Sequence, residues 1–170
     1  MRKFFLNILV ILISFSFSSF VYAEDEPLND TELNLFTGIF DFSDHKQKAG
    51  IIGLQHQNDD LFRETFLGKL SPITGGFLTE NNSFYVYTGA QTEFDVGLFT
   101  ITPSFAPGYY NSGDGKDLGH VLEFKSEIQM SLNLSDSTEF GMSYNHISNA
   151  SLGDKNPGAN SYMINFLKQF

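Results

Sequence analysis

His146 and Ser148 are a base and a nucleophile two residues apart in the run Phe140-Gly141-Met142-Ser143-Tyr144-Asn145-His146-Ile147-Ser148. On an extended chain alternate residues share a face, so imidazole and hydroxyl project side by side. A neutral imidazole can then take the hydroxyl proton as that oxygen attacks a carbonyl carbon. A third group is needed to hold the ring. If the following loop is centred near Asp154, Ser148 lies opposite Asn160 on the next antiparallel strand. Asn160 would then sit diagonal to His146 on the same face, with Cβ atoms about 7–8 Å apart. A one-residue slip would move Asn160 to the other face. His-x-Ser pairs also arise by accident, and a His near a strand end can simply be an interfacial residue. The setting must decide.

That setting is a series of strands. Turn-forming residues recur at Ser43-Asp44-His45, Asn58-Asp59-Asp60, Asn81-Asn82, Asn111 to Gly115, Ser135-Asp136-Ser137 and in a longer loop from Ala150 to Ala159. Between them the sequence predicts eight strands: 32–42, 48–57, 62–80 (bent near Pro72 and Gly75), 83–94, 96–110, 118–133, 138–149 and 160–170. In 118–134 the even positions include Leu118, His120, Leu122, Phe124, Ile128, Met130 and Leu132, and the odd ones Glu123, Lys125, Glu127, Gln129 and Asn133. One face is nearly all apolar, Ser126 apart, and the other mostly polar despite Gly119 and Val121, and the same period carries Phe140, Met142, Tyr144, His146 and Ser148 onto the apolar side. The first two strands alternate poorly. The chain ends on Tyr162-x-Ile164-x-Phe166-x-Lys168-x-Phe170, an alternating strand with a terminal aromatic.

Composition narrows the compartment. Arg2 and Lys3 precede an apolar segment, Phe4 to Ile13, and Val21-Tyr22-Ala23 offers a signal-peptidase site, so residues 1–23 read as a cleaved signal peptide and 24–170 as one mature domain. Cleavage lowers Lys+Arg from 10 to 8 against 20 Asp+Glu, a formal charge of −12. So acidic a chain has no basic patch for phosphates, which excludes nucleic acid as a partner. It has no cysteine, hence no disulfide or thiolate metal site. With 19 Phe, 7 Tyr and 15 Gly, a mean hydropathy of −0.13 suits a barrel in which only alternate residues meet lipid. The predicted fold is therefore all-β: an eight-stranded antiparallel transmembrane barrel of the bacterial outer membrane.

His146-Ile147-Ser148-Asn149-Ala150, followed by Asn156-Pro157-Gly158, resembles the signature of the PagL family of lipid A 3-O-deacylases. Leu35 to Phe42 and Pro103 to Tyr110 resemble further family segments, and Gly113 to His120 is similar to alphaproteobacterial relatives. The resemblance spans nearly the whole mature chain. It implies a His–Ser–Glu triad on the outer wall of the barrel, with His146 as base and Ser148 as nucleophile. Lipid A of lipopolysaccharide would be the substrate, in outer-membrane lipid. It also points to Asn156 and the backbone N–H of Ser151, just after Ala150, as an oxyanion hole. The family's Glu position falls on Asn160. An amide can orient imidazole, as in Cys-His-Asn sites, but cannot stabilise imidazolium by charge. The resemblance thus implies an esterase weakened or retuned by Asn160. Glu139 has the wrong parity to substitute, and Asp154 lies in the loop.

No metal or cofactor is expected: Asp44, His45, Asp59 and Asp60 sit in separate turns without the spacing of a site. His120 reads as an interfacial residue. The competing class is a non-catalytic small barrel of the OmpX or OmpW kind with an adhesion or envelope-integrity role. Monomer and homodimer are both open.

Overall fold

In the computed structural model, which describes residues 31–44, 46–58, 61–66 and 68–170, the period-two segments form a closed antiparallel barrel. The signal-peptide segment 1–23 lies outside the described residues, as do His45, Asp59 and Asp60. The strands are β1 (Thr31–Phe40), β2 (Ala49–Asn58), β3 (Arg63–Thr65), β4 (Gly68–Thr79), β5 (Phe84–Thr92), β6 (Phe94–Val96), β7 (Phe99–Asn111), β8 (Leu122–Ser135), β9 (Thr138–Ser148) and β10 (Ala159–Gln169). Short β3 and β6 extend the β4 and β7 edges, leaving eight long strands. Each pairs with a neighbour on both sides, β2 with β4 and β1 with both β2 and β10, so among the described residues the eight long strands form a closed ring. A closed ladder is what a membrane demands, because hydrocarbon offers no partner to an open strand edge.

Parity divides the wall. Outward, Ile39, Leu54, Leu78, Val86, Phe105, Ile128, Met130, Phe140, Met142, Ile164 and Phe166 are all exposed. A water-soluble monomer rarely exposes a contiguous apolar patch beyond a few hundred Å². A ring of such residues around every strand is a lipid-facing belt. Inward, polar side chains pair with one another: Asn34 Nδ2 donates to Gln129 Oε1 (3.0 Å), Gln55 Nε2 to Gln91 Oε1 (2.9 Å) and Lys125 Nζ to Glu127 Oε1 (3.2 Å). Buried polar groups are tolerated when satisfied in this way.

The weak alternation of β1 and β2 has a physical cause. Toward the end of the barrel away from Thr31 and Phe170 the lumen is apolar, filled by Phe36, Phe40, Ile51, Phe77, Tyr85, Tyr110 and Ile147. Apolar residues there face both ways, so the pattern blurs.

Three predicted boundaries are corrected. Residues 62–80 are not one bent strand: the chain reverses between Thr65 and Gly68, where Gly68 adopts φ +96°, and Pro72 and Gly75 lie in an unbroken β4 ladder. Leu118 and His120 do not belong to β8, which begins at Leu122. Asp117 Oδ1 accepts the Gly119 N–H (2.8 Å), a local turn that competes with the ladder, and Leu118 turns inward, fully buried, to cap the lumen. Finally, the β9–β10 register is shifted by two: Asn160 opposes His146, not Ser148. Asn149 folds the chain back at once, its carbonyl accepting the Leu152 N–H (3.0 Å) and its Oδ1 the Ser151 N–H (2.9 Å). The loop therefore closes on the Ile147–Ala159 pair and centres on Gly153. A shift of two preserves every face.

Candidate active site

β9 brings the reactive groups to the outer wall. His146 is exposed and Ser148 half-buried, while the intervening Ile147 is fully buried in the lumen core. That anchor fixes the strand, so both functional groups sit on a rigid element beside the membrane rather than on a loop. β10 supplies Asn160 directly opposite, and His146 Nδ1–H donates to Asn160 Oδ1 at 2.8 Å. Direct opposition brings the Cβ atoms to about 5 Å, closer than the diagonal arrangement the sequence predicts. The Tyr144 hydroxyl also donates to Asn160 Oδ1 (2.8 Å). On the other side β8 places Ser126 opposite His146 and Phe124 opposite Ser148.

The imidazole is bounded from behind by Gly158. A Cβ there would lie 2.8 Å from His146 Cε1, and the residue adopts φ +60°, so both space and backbone call for glycine. Flat aromatic surfaces flank the group: Phe42 stacks on Tyr162 (centroids 4.4 Å apart), Tyr162 tilts against Tyr144, and Phe105 stacks on Phe124. The Ser148 hydroxyl has no hydrogen-bond partner among the described residues.

Loop 149–158 arranges the remaining candidates. Asn156 Oδ1 accepts the Asn149 N–H (3.1 Å), which leaves Asn156 Nδ2 without a partner among the described residues. The Ser151 N–H is engaged by Asn149 Oδ1, whereas the neighbouring Ala150 N–H has no partner among them. Ala150 and Ser151 both adopt positive φ, 52° and 67°, a conformation non-glycine residues take at a cost. Asn149, fully buried, is the keystone: its Nδ2 donates to the carbonyls of Leu118 and Lys155, both at 2.8 Å, joining this loop to the 112–121 loop. The clasp is reinforced by Lys155–Asp117 (2.7 Å). The Lys155 ammonium and then the Gly119 N–H hold the Asp117 carboxyl below the usual carboxylate range.

Sequence reasoning brings together His146, Ser148 and Asn160 on one face but misses Tyr144, Gly158 and the role of Asn149. Tyr144 was legible, since it shares His146's parity on β9. Asn149 reads from sequence as an ordinary strand-end residue, and only its partners reveal its function. Among the described residues, no three His, Asp or Glu side chains come together to hold a metal.

A closed barrel with an apolar belt, carrying an imidazole, a hydroxyl and an amide on one stretch of its outer wall, defines a membrane-embedded β-barrel with a candidate site facing lipid. Residues 34–168 match the family described as lipid A 3-O-deacylase (PagL), and the chain belongs to that family. It is an outer-membrane β-barrel and an ester hydrolase of lipid A. Among solved structures it is similar to the outer membrane enzyme PagL, at 19% identity and a TM-score of 0.64, covering 82% of this chain and 99% of that one. It also resembles a de novo designed transmembrane β-barrel (7% identity, TM-score 0.59, covering 86% and 100%) and Neisserial surface protein A (9%, 0.52, covering 82% and 96%). At these identities the structural likeness speaks for the fold. No curated protein matches the sequence.

Proposed function

We propose that the chain removes the 3-position acyl chain of lipid A as a serine esterase, with Ser148 as nucleophile and His146 as general base. The observation that carries this reading is the 2.8 Å contact of His146 Nδ1 with Asn160 Oδ1 on the lipid-facing wall, on the same strand face as Ser148 two residues away. With Nδ1 donating, Nε2 holds the lone pair that accepts the Ser148 proton. Ser148 Oγ attacks the ester carbonyl, and the tetrahedral oxyanion is met by Asn156 Nδ2 and a backbone N–H of the 150–151 turn. Because the Ser151 N–H is engaged by Asn149, the Ala150 N–H is the donor at hand. The imidazolium then protonates the departing sugar oxygen, which leaves as the hydroxyl. Water, deprotonated by the same ring, releases the fatty acid from Ser148.

Strand parity supports the direction of insertion. The start of β1 and the end of β10 lie at one end of the barrel; with that end periplasmic, loop 149–158 is extracellular. The site then sits at the outer rim, at the depth of lipid A ester bonds beneath the sugar. Substrate arrives laterally from the membrane, and the chain acts without a metal or cofactor.

The test is mass spectrometry of lipid A from cells carrying the wild type or Ser148→Ala. Loss of one hydroxyacyl mass only with intact Ser148 is expected; identical loss in both would end the serine mechanism.

A further inference from the structure

The Asn160 amide has two chemically different ends, and only one of them serves a base. With Oδ1 toward the ring, His146 carries its proton on Nδ1 and keeps Nε2 free to accept from Ser148. With the amide turned by half a rotation, Nδ2 would donate to Nδ1, the proton would reside on Nε2, and the ring could accept nothing there. The corresponding tautomer error in a serine protease costs about 10⁴ in kcat. A carboxylate at this position has no such ambiguity, because both oxygens accept. Replacing it by an amide therefore creates a new requirement: something must hold the amide the right way round. Tyr144 does not suffice, since a hydroxyl can donate or accept.

A directional hydrogen-bond chain meets this requirement, and it begins at Asp41. This residue is fully buried in the turn after β1 and adopts φ +49°, which Asp tolerates better than most side chains. Lys116 Nζ donates to Asp41 Oδ2 (2.6 Å), and an ammonium only donates. Asp41 Oδ1 accepts the Ser43 hydroxyl (3.2 Å) and the Asn160 N–H (3.4 Å). Having given its single proton to Asp41, Ser43 presents only lone pairs to Asn160. Asn160 Nδ2 donates to them (3.2 Å). Oδ1 is thereby turned toward His146 and Tyr144. The Phe42 N–H, donating to the Asn160 carbonyl (2.9 Å), keeps the turn seated on β10.

We propose that Asp41 and Ser43 are positioning residues that fix the direction of the Asn160 amide and through it the tautomer of His146, an inference that rests on the His146–Ser148 reading above. The polarity of the chain is set by an acceptor-only carboxylate remote from the ring, and Ser43 transmits it. Ser43 is exposed, so its replacement disturbs the fold little.

The experiment compares kcat and KM of the purified full chain in detergent on lipid A, together with ¹⁵N spectra of His-labelled protein in micelles, the His146 signals assigned by their loss in His146→Gln. In the wild type the ring is expected as the Nδ1–H tautomer. Ser43→Ala is expected to lower kcat roughly three- to tenfold, the weight of one orienting hydrogen bond, with KM within about twofold, and to raise the Nε2–H population. Ser43→Thr, which keeps the hydroxyl, restores both. In an Asn160→Asp background, where both side-chain oxygens accept, the Ser43→Ala effect on kcat is expected to vanish. Equal losses in the two backgrounds would reduce Ser43 to a structural contact and overturn the proposal, as would a wild-type ring protonated on Nε2 or an unchanged kcat in Ser43→Ala. Undiminished deacylation by Ser148→Ala would instead remove the catalytic reading, and the spectra alone would then decide whether Ser43 sets the tautomer.

Discussion

Gly158 has little freedom beside the imidazole. At φ +60°, an L side chain costs about 1–2 kcal/mol in backbone strain. The larger consequence is catalytic: a methyl group 2.8 Å from His146 Cε1 must push the ring along the wall. Misplacing a reacting group by about 1 Å can cost on the order of 10² in rate. Gly158→Ala is therefore expected to lower kcat about a hundredfold with the barrel still folded, measured as acyl release from lipid A in detergent. An unchanged kcat would mean that the ring is not held against this strand end. At this scale the sequence was informative about which side chains share a face, since parity joined His146 and Ser148, and a loop centred near Asp154 added Asn160. It could not say that Asn160 opposes the imidazole directly, because two registers two residues apart satisfy the same pattern.

At the scale of elements, the 149–158 loop is organised by one side chain. Asn149→Ala removes the partners of the Leu118 and Lys155 carbonyls and of the Ser151 N–H together. The Leu118 carbonyl, left unpaired in a buried place, costs about 1–3 kcal/mol. The loop is expected to detach from the 112–121 loop, with faster hydrogen exchange over 149–158 and a lower kcat through the misplaced Asn156; protection equal to the wild type would refute the keystone role. The Lys155–Asp117 clasp adds a pH dependence whose sign follows from the lowered Asp117 value. Its contribution is present above the unfolded carboxylate value of about 4 and disappears only as pH falls through the still lower folded value. Between pH 7 and 5 the loops are expected to stay docked, with exchange over 149–158 unchanged by the clasp.

For the whole molecule, the wall separates stability from chemistry. Lys125 and Glu127 pair inside the barrel, Lys125 also lying 4.2 Å from the Tyr87 ring centroid, while His146 and Ser148 face lipid. Removing one partner of a buried ion pair costs about 3–5 kcal/mol, because the other is left uncompensated. Lys125→Met is expected to lower the temperature at which the folded gel band is lost, while kcat per folded molecule stays at the wild-type level. A kcat that fell with stability would show that the lumen and the outer site are coupled.

The repeating period, the turn residues and the alternating final strand determined that this chain forms strands with one lipid-facing side, because side-chain direction along a strand is a local property of the backbone. They also determined that a base and a hydroxyl share that side. What they left open were quantities fixed by partners distant in sequence. The apolar filling of one half of the lumen hid the first two strands, since an inward Phe36 and an outward Leu35 look alike until the barrel closes around one of them. The two-residue register of β10, the anchoring of Asn149 and the Asp41–Ser43–Asn160 chain each join residues up to 119 positions apart. The pairings of Asp41 and Ser43 with Asn160 exist only once the ladder closes between β1 and β10, because closure is what brings the first turn against the last strand.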